Sequence, residues 1–194
     1  MNRNEDTKTI VRTFFAWQEE KEEKWLSKMS KEGWHLCRVG FFNYRFKKGS
    51  PSDMIYKFDF KVIMGKSEMK DYIMMFKDSG WEHIGNFGSW FYFRTAAEGD
   101  HSLELYSDNR SKIEKYRRLL LVLGIISFPV IFFSLPNLYM RIIDMAADSV
   151  LNNPIVFNIY LPFVILLTIV ELVVIYAVIR ILLIIRKLRK DIRQ

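Results

Sequence analysis

The chain has 194 residues, of which 50% are hydrophobic, 15% aromatic and 26% charged, with a formal net charge of +7. That length predicts one ordinary domain with something added, and the mixture excludes an evenly mixed globule, because nearly all the charge precedes Leu119. The single cysteine, Cys37, excludes an intrachain disulfide and fits a reducing compartment.

The opening, MNRNEDTKTI, has no apolar core, so no signal peptide is expected and membrane insertion must rely on later segments. The β-rich run TKTIVRTFFAW reads as a first strand. EEKEEKWLSKMSKEG then reads as a helix with Trp25, Leu26 and Met29 on its apolar side and Gly33 as its stop. Its acidic cluster, Glu19, Glu20, Glu22 and Glu23, is expected to be a solvated first turn favoured by the helix dipole.

A similar unit recurs. KSEMKDYIMMFKDSG places Met69, Tyr72, Ile73 and Phe76 on one face, has Ser67 as its expected N-cap and stops at Gly80. Both stop glycines are followed by tryptophan, Trp34 and Trp81, expected to be structural wedges between helix end and sheet. Strand-like runs follow at matched distances: Tyr44 and Phe46 lie eleven and thirteen residues beyond Gly33, as Phe91 and Phe93 do beyond Gly80. DMIYKFDFKV at 53–62 and HSLELYSD at 101–108 each add a strand. The expected fold class is α+β: a ferredoxin-like duplicated αββ unit, with two helices on one face of an antiparallel sheet.

Alternation along those strands predicts an uncovered face carrying Arg45, Lys47, Lys57, Lys61 and Arg94 beside Trp90 and Tyr92. From this set, Arg45, Lys57, Trp90, Tyr92 and Arg94 form the candidate interaction face. Basic and aromatic groups on a sheet suit RNA, but the characteristic RNA-binding pattern is missing and no nucleic-acid partner is expected. A solvated face, a protein contact and anionic lipid headgroups all fit it. His35, His83 and His101 are isolated, and no zinc spacing, phosphate loop or nucleophile elbow occurs. No catalytic residue, metal or cofactor is expected, and the chain is not read as an enzyme.

The α+β domain is assigned residues 1–108, and a basic juxtamembrane helix 109–118, capped by Ser107 or Asp108 and running without a break into the first apolar block. Residues 119–139 carry no charge and are long enough for a first transmembrane helix, with Pro136 and Asn137 at its exit. A short extracytoplasmic amphipathic segment (140–153), a second transmembrane helix (154–185) and a basic tail (186–194) complete the chain. Arg110, Lys112, Lys115, Arg117 and Arg118 precede the first apolar block and Arg186, Lys187, Arg189, Lys190 and Arg193 follow the second. That asymmetry predicts a multi-pass cell-membrane protein with both termini cytoplasmic. The second block exceeds a span, so its end is expected to project into the cytoplasm.

Glu171 lies inside that second block, where an ionisable side chain costs about 3 kcal/mol. It reads either as a proton or ion ligand, or as a protonated side chain bonded to Ser127, Ser134 or a backbone carbonyl. Edge strands and apolar spans favour a homo-oligomer, a homodimer first.

EKWLSKMSKEGWHL, MIYKFDF, WFYFR and LYSDNRSKIEKYRR together resemble the bacterial family called domain of unknown function 2812, over about residues 12–118. The resemblance implies a soluble domain joined to hydrophobic segments in a regulatory or stress-response setting, since many members are encoded near PadR-type repressors. It supplies no catalytic residues. The leading expectation is a membrane-anchored cytoplasmic sensor or adaptor that contacts an unknown protein partner through its sheet face. The alternative is a ligand- or lipid-binding accessory subunit of a membrane transporter.

Overall fold

The computed structural model describes residues 6–62, 65–97, 104–106, 108–145 and 161–192. The elements run β1 (Thr7–Val11), α1 (Glu19–Lys31), β2 (Trp34–Gly40), β3 (Asn43–Lys48), β4 (Met54–Phe60), α2 (Lys66–Asp78), β5 (Glu82–Phe87), β6 (Trp90–Ala96), α3 (Asn109–Met145) and α4 (Leu161–Ile192). One 3-10 turn, Ala16–Gln18, leads into α1.

Two halves of the domain share one element order, strand-helix-strand-strand. α2 begins and ends 47 residues after α1. The strands form two antiparallel three-stranded sheets with the same internal order, β1-β3-β2 and β4-β6-β5. Both copies break register at the same place, between Leu36 and Arg38 in the first and between His83 and Gly85 in the second. Both helices end before a glycine of positive φ, Gly33 at 79° and Gly80 at 85°, a backbone region open to glycine at little cost.

Two sheets of three therefore replace the expected single sheet. β4 is the first strand of the second copy rather than the last of the first, and the sheets approach each other where β2 meets β5. The helices also do not share one face. α1 lies between the sheets, packing Leu26 and Met29 with Leu36, Tyr44 and Phe46 of the first and Tyr56, Phe58 and Tyr92 of the second. α2 covers the far side of the second sheet, joining Tyr72 and Phe76 to Ile55, Trp81, Phe91 and Phe93. The second sheet is thus covered on both faces, and β4 is largely buried on both sides although Lys57 and Asp59 interrupt its apolar residues. Two smaller expectations also fail. The N-cap of α2 is Gly65 rather than Ser67, and within 101–108 the described residues 104–106 and 108 form no strand.

α3 starts at the expected boundary, with Asp108 Oδ1 accepting from the Ser111 amide at 2.8 Å. It continues without a break through Pro136 and Asn137, where an exit was expected, for 37 residues, about 55 Å. Of segment 140–153, residues 140–145 belong to this helix and the rest lie outside the described residues, as do 154–160. Among the described residues one helix stretch, Ile165–Ile192, is long and apolar enough to cross a membrane, so the expected hairpin of two spans is not met as such. Leu121, Ile125, Phe128 and Phe132 of α3 and Phe163, Leu166, Ile169 and Leu172 of α4 are exposed.

The last turns of α4 pack against α3 and the domain. Ile181 and Ile185 are buried with Ile113, Tyr116 and Leu119 of α3 and Phe60 of β4. Trp17 meets Tyr176 edge to face at 5.4 Å. The apolar excess of the last block is spent covering the domain.

Candidate functional site

α1 presents a stripe of Glu22, Trp25, Leu26 and Met29 toward the interior. In α2 the equivalent positions are Met69, Tyr72, Ile73 and Phe76. A carboxylate therefore stands where the other copy has a methionine. Glu22 is only 7% exposed. Tyr44 of β3 donates to its Oε1 at 2.7 Å and Tyr92 of β6 donates to the same oxygen at 3.0 Å. Burial pushes the Glu22 carboxyl up to about 7, helped by the nearby charge of Glu19 and opposed by the two phenols. Burial and the Glu22 charge push both phenols upward, so they stay protonated donors.

Glu22, Tyr44 and Tyr92 line a cavity of about 220 Å³. Phe14 and Phe15 from the segment after β1, Phe41 and Phe42 from the β2–β3 turn, and Phe87 and Trp90 flanking the β5–β6 turn supply its aromatic walls. Phe42 holds a positive φ of 58°, unusual for a bulky residue, at the tip of that turn. Among the described residues the basic side chain on the lining is Arg12, and its guanidinium already lies 5.0 Å over Phe14 and 4.9 Å over Trp25.

One turn before Glu22, Glu19 joins the domain to α3. Lys115 donates to Glu19 Oε1 at 2.6 Å and to the Phe58 carbonyl at 3.2 Å, and Tyr116 donates to Glu19 Oε2 at 3.0 Å. Arg118 donates to the Phe60 carbonyl at 2.9 Å and to Asp59 Oδ1 at 3.2 Å. Asp59 is fully buried and also accepts from Tyr72. Lys57 pairs with Glu23 at 2.9 Å and Glu104 at 3.3 Å, and Lys112 pairs with Glu104 at 3.3 Å. Burial pushes Glu23 up to about 7 as well, against the pull of Lys57 and Lys115, whereas at Glu22 it is the two phenols that oppose the rise. The acidic first turn of α1 is accordingly not solvated, because three of its four carboxylates are claimed by lysines or tyrosines.

A family model described as "Protein of unknown function (DUF2812)" matches residues 18–128, more than half of the chain. The chain belongs to the DUF2812 family. The match opens at the turn that carries Glu19 and Glu22 and closes inside α3. No curated protein and no solved structure matches this DUF2812 chain.

The residues expected to form one open sheet face are dispersed. Arg45 is exposed on the outer face of the first sheet, opposite Thr9 and Arg38. Lys57 lies opposite Phe93, on the other side of the second sheet from Trp90 and Tyr92, which oppose Phe60 and Phe58. Tyr92 is buried on Glu22, Trp90 lies 5.2 Å from Phe60 and packs toward α3 and α4, and Arg94 is held by Glu82 at 2.7 and 2.9 Å. Strand alternation assigned each residue to a side, yet the second sheet has no open side.

Glu171 falls within the apolar stretch of α4 and is partly buried. Ser127, one of its expected partners, donates to the Leu123 carbonyl of its own helix, and the side chain of Ser134 lies outside those described. Trp81 is buried as expected, but Trp34 is half-buried with Lys48 4.6 Å over its ring. Sequence reasoning missed Glu22, Glu19 and Asp59. For Glu22 the signal was available: aligned with the second copy, it interrupts an apolar stripe.

Proposed function

We propose that this chain is a membrane-anchored sensor module whose α+β domain faces the cytoplasm and passes its state to the helices, with a regulatory role. The observation that carries this reading is the junction at the start of α3. Lys115 and Arg118 each bond a carboxylate and a β4 carbonyl of the domain, at 2.6 to 3.2 Å. A flexible tether would need none of these bonds, and a long helix held this way moves when its seat in the domain moves. Exposed apolar side chains on α3 and α4 support a bilayer around both helices, and the basic residues at their domain ends support a multi-pass arrangement with that end inside.

Contact with a protein partner fits the outer face of the first sheet, where Arg38 and Arg45 are exposed, better than the second sheet. The alternative reading, an accessory subunit of a transporter that binds a ligand or lipid, is favoured by the aromatic cavity beside Glu22.

Cys37 provides the test, since it is exposed and is the one thiol of the chain. A membrane-impermeant maleimide should label it in inside-out vesicles and leave it unlabelled in intact cells, while the chain resists alkaline extraction. Labelling from outside intact cells, or extraction as a soluble protein, overturns the reading.

A further inference from the structure

The cavity beside Glu22 has a chemistry that selects a class of ligand. Its lining is largely aromatic, a surface that accepts cations over ring faces, and two carboxylates, Glu22 and Glu19, stand on α1 at its inner side. An anion would be repelled by both carboxylates, and the basic group on the described lining, Arg12, is already stacked on Phe14 and Trp25. A neutral apolar molecule would desolvate Glu22 further without supplying a counter-charge. A cation is favoured by both, and the chain itself places one on such rings, in the stack of Arg12 on Phe14 and Trp25.

Neighbouring carboxylates have cations already. Glu19 holds Lys115 and Glu23 holds Lys57. Glu22 has two phenols, both on Oε1, and neither bonds Oε2. The volume, about 220 Å³, is below the roughly 300–1,000 Å³ of drug-sized pockets, so the occupant is small. The geometry points to a binding site for a small organic ammonium ion, an alkylated or methylated amine, seated between the aromatic walls with its charge on Glu22.

The inference deepens the sensor reading and rests on it only for the effect of binding. Glu19 lines the same cavity and grips Lys115 and Tyr116 of α3. Charge arriving beside Glu22 therefore acts one helical turn from the seat of α3. Binding also expels the proton that Glu22 carries for part of the time near neutrality. The groups facing Glu22 are Tyr44 of β3, Tyr92 of β6 and Glu19 of its own helix, and Arg12 faces Tyr44.

Calorimetry on the full chain in mild detergent tests this, with tetramethylammonium and n-butylammonium as probes and tert-butanol and butyrate as neutral and anionic controls, all at fixed ionic strength. At least one ammonium probe should bind saturably, one per chain, with proton release seen as a buffer-dependent heat, while the controls show no saturable heat. Glu22→Gln should weaken binding by at least about tenfold, and Phe87→Leu, which removes an exposed wall ring, by about three- to tenfold. Absence of saturable ammonium binding, equal binding of tert-butanol, or unchanged affinity in Phe87→Leu overturns the site. The last of these stands even if Glu22→Gln does not fold. Failure here leaves the Cys37 labelling result untouched, and external labelling of Cys37 would remove the sensor reading while leaving an ammonium site in place.

Discussion

Glu22 and Met69 occupy the same position of the two copies, on helices that start 47 residues apart, and both face the interior. The substitution of a carboxylate for a thioether is what turns a packing position into a polar one. It also makes stability depend on pH.

The folded-state pKa of Glu22 is about 7 against an ordinary value of 4.5. A group raised in this way contributes fully below pH 4.5, and that contribution is lost as pH rises through about 7; its size is on the order of 3 kcal/mol. Glu22→Gln keeps an acceptor oxygen for both phenols and removes the titration. The variant should match the parent near pH 5 and exceed it by about 1–3 kcal/mol near pH 8. Denaturation followed by tryptophan fluorescence at the two pH values measures this, with the residual slope assigned to Glu23.

Asp59 is fully buried, and Arg118 is its cationic partner. Arg118 itself is partly exposed, but removing it leaves the buried carboxylate uncompensated, which costs up to about 3 kcal/mol. Arg118→Met should therefore destabilise strongly and expose the α3 junction to protease. Adding Asp59→Asn should restore a large part of the loss, because Tyr72 still has an oxygen to bond. A double mutant as unstable as Arg118→Met alone would show that the lost carbonyl bond to Phe60, rather than the charge, carries the cost.

Local pattern made the repeat legible: helix ends at Gly33 and Gly80, strand spacing beyond them, and the Asp108 cap could all be read from the chain. The pairing of strands could not. An alternating strand such as β4 fixes which residues share a side, and nothing in it says whether one side or both will be covered. Lys57 and Asp59 looked like solvent-facing residues because a polar residue at every second position usually is one. They are inside because Glu23, Glu104 and Arg118, distant in sequence, reach them. Buried ion pairs between remote segments leave no periodic trace, and so the site was less legible than the fold.

His83 shows the same mismatch between copies. Its counterpart 47 residues earlier is Leu36, 1% exposed, whereas His83 lies between Phe91 and Phe93 at 5.8 and 5.5 Å. Its Nε2 is the buried side-chain atom without a hydrogen-bond partner among the described residues. Burial pulls its pKa below the ordinary 6.5. The unfolded chain then binds more protons, so this contribution is present above about pH 6.5 and lost as pH falls. His83→Leu should stabilise the protein by about 1 kcal/mol at pH 7 and by more at pH 5, read from denaturation midpoints at both values.

The two stop glycines separate backbone strain from crowding. Gly33 and Gly80 share a left-handed conformation, at φ of 79° and 85°, so alanine at either costs about 1–2 kcal/mol. A Cβ on Gly80 would meet nothing within 4 Å, but one on Gly33 would lie 2.7 Å from the Gly49 carbonyl oxygen. That oxygen is backbone and cannot swing aside, since the Gly49 amide is itself bonded to the Gly33 carbonyl at 2.9 Å. Gly33→Ala should therefore be more destabilising than Gly80→Ala by at least about 1 kcal/mol. Equal midpoints for the two variants would mean that the β3–β4 connection gives way more easily than its hydrogen bond to Gly33 indicates.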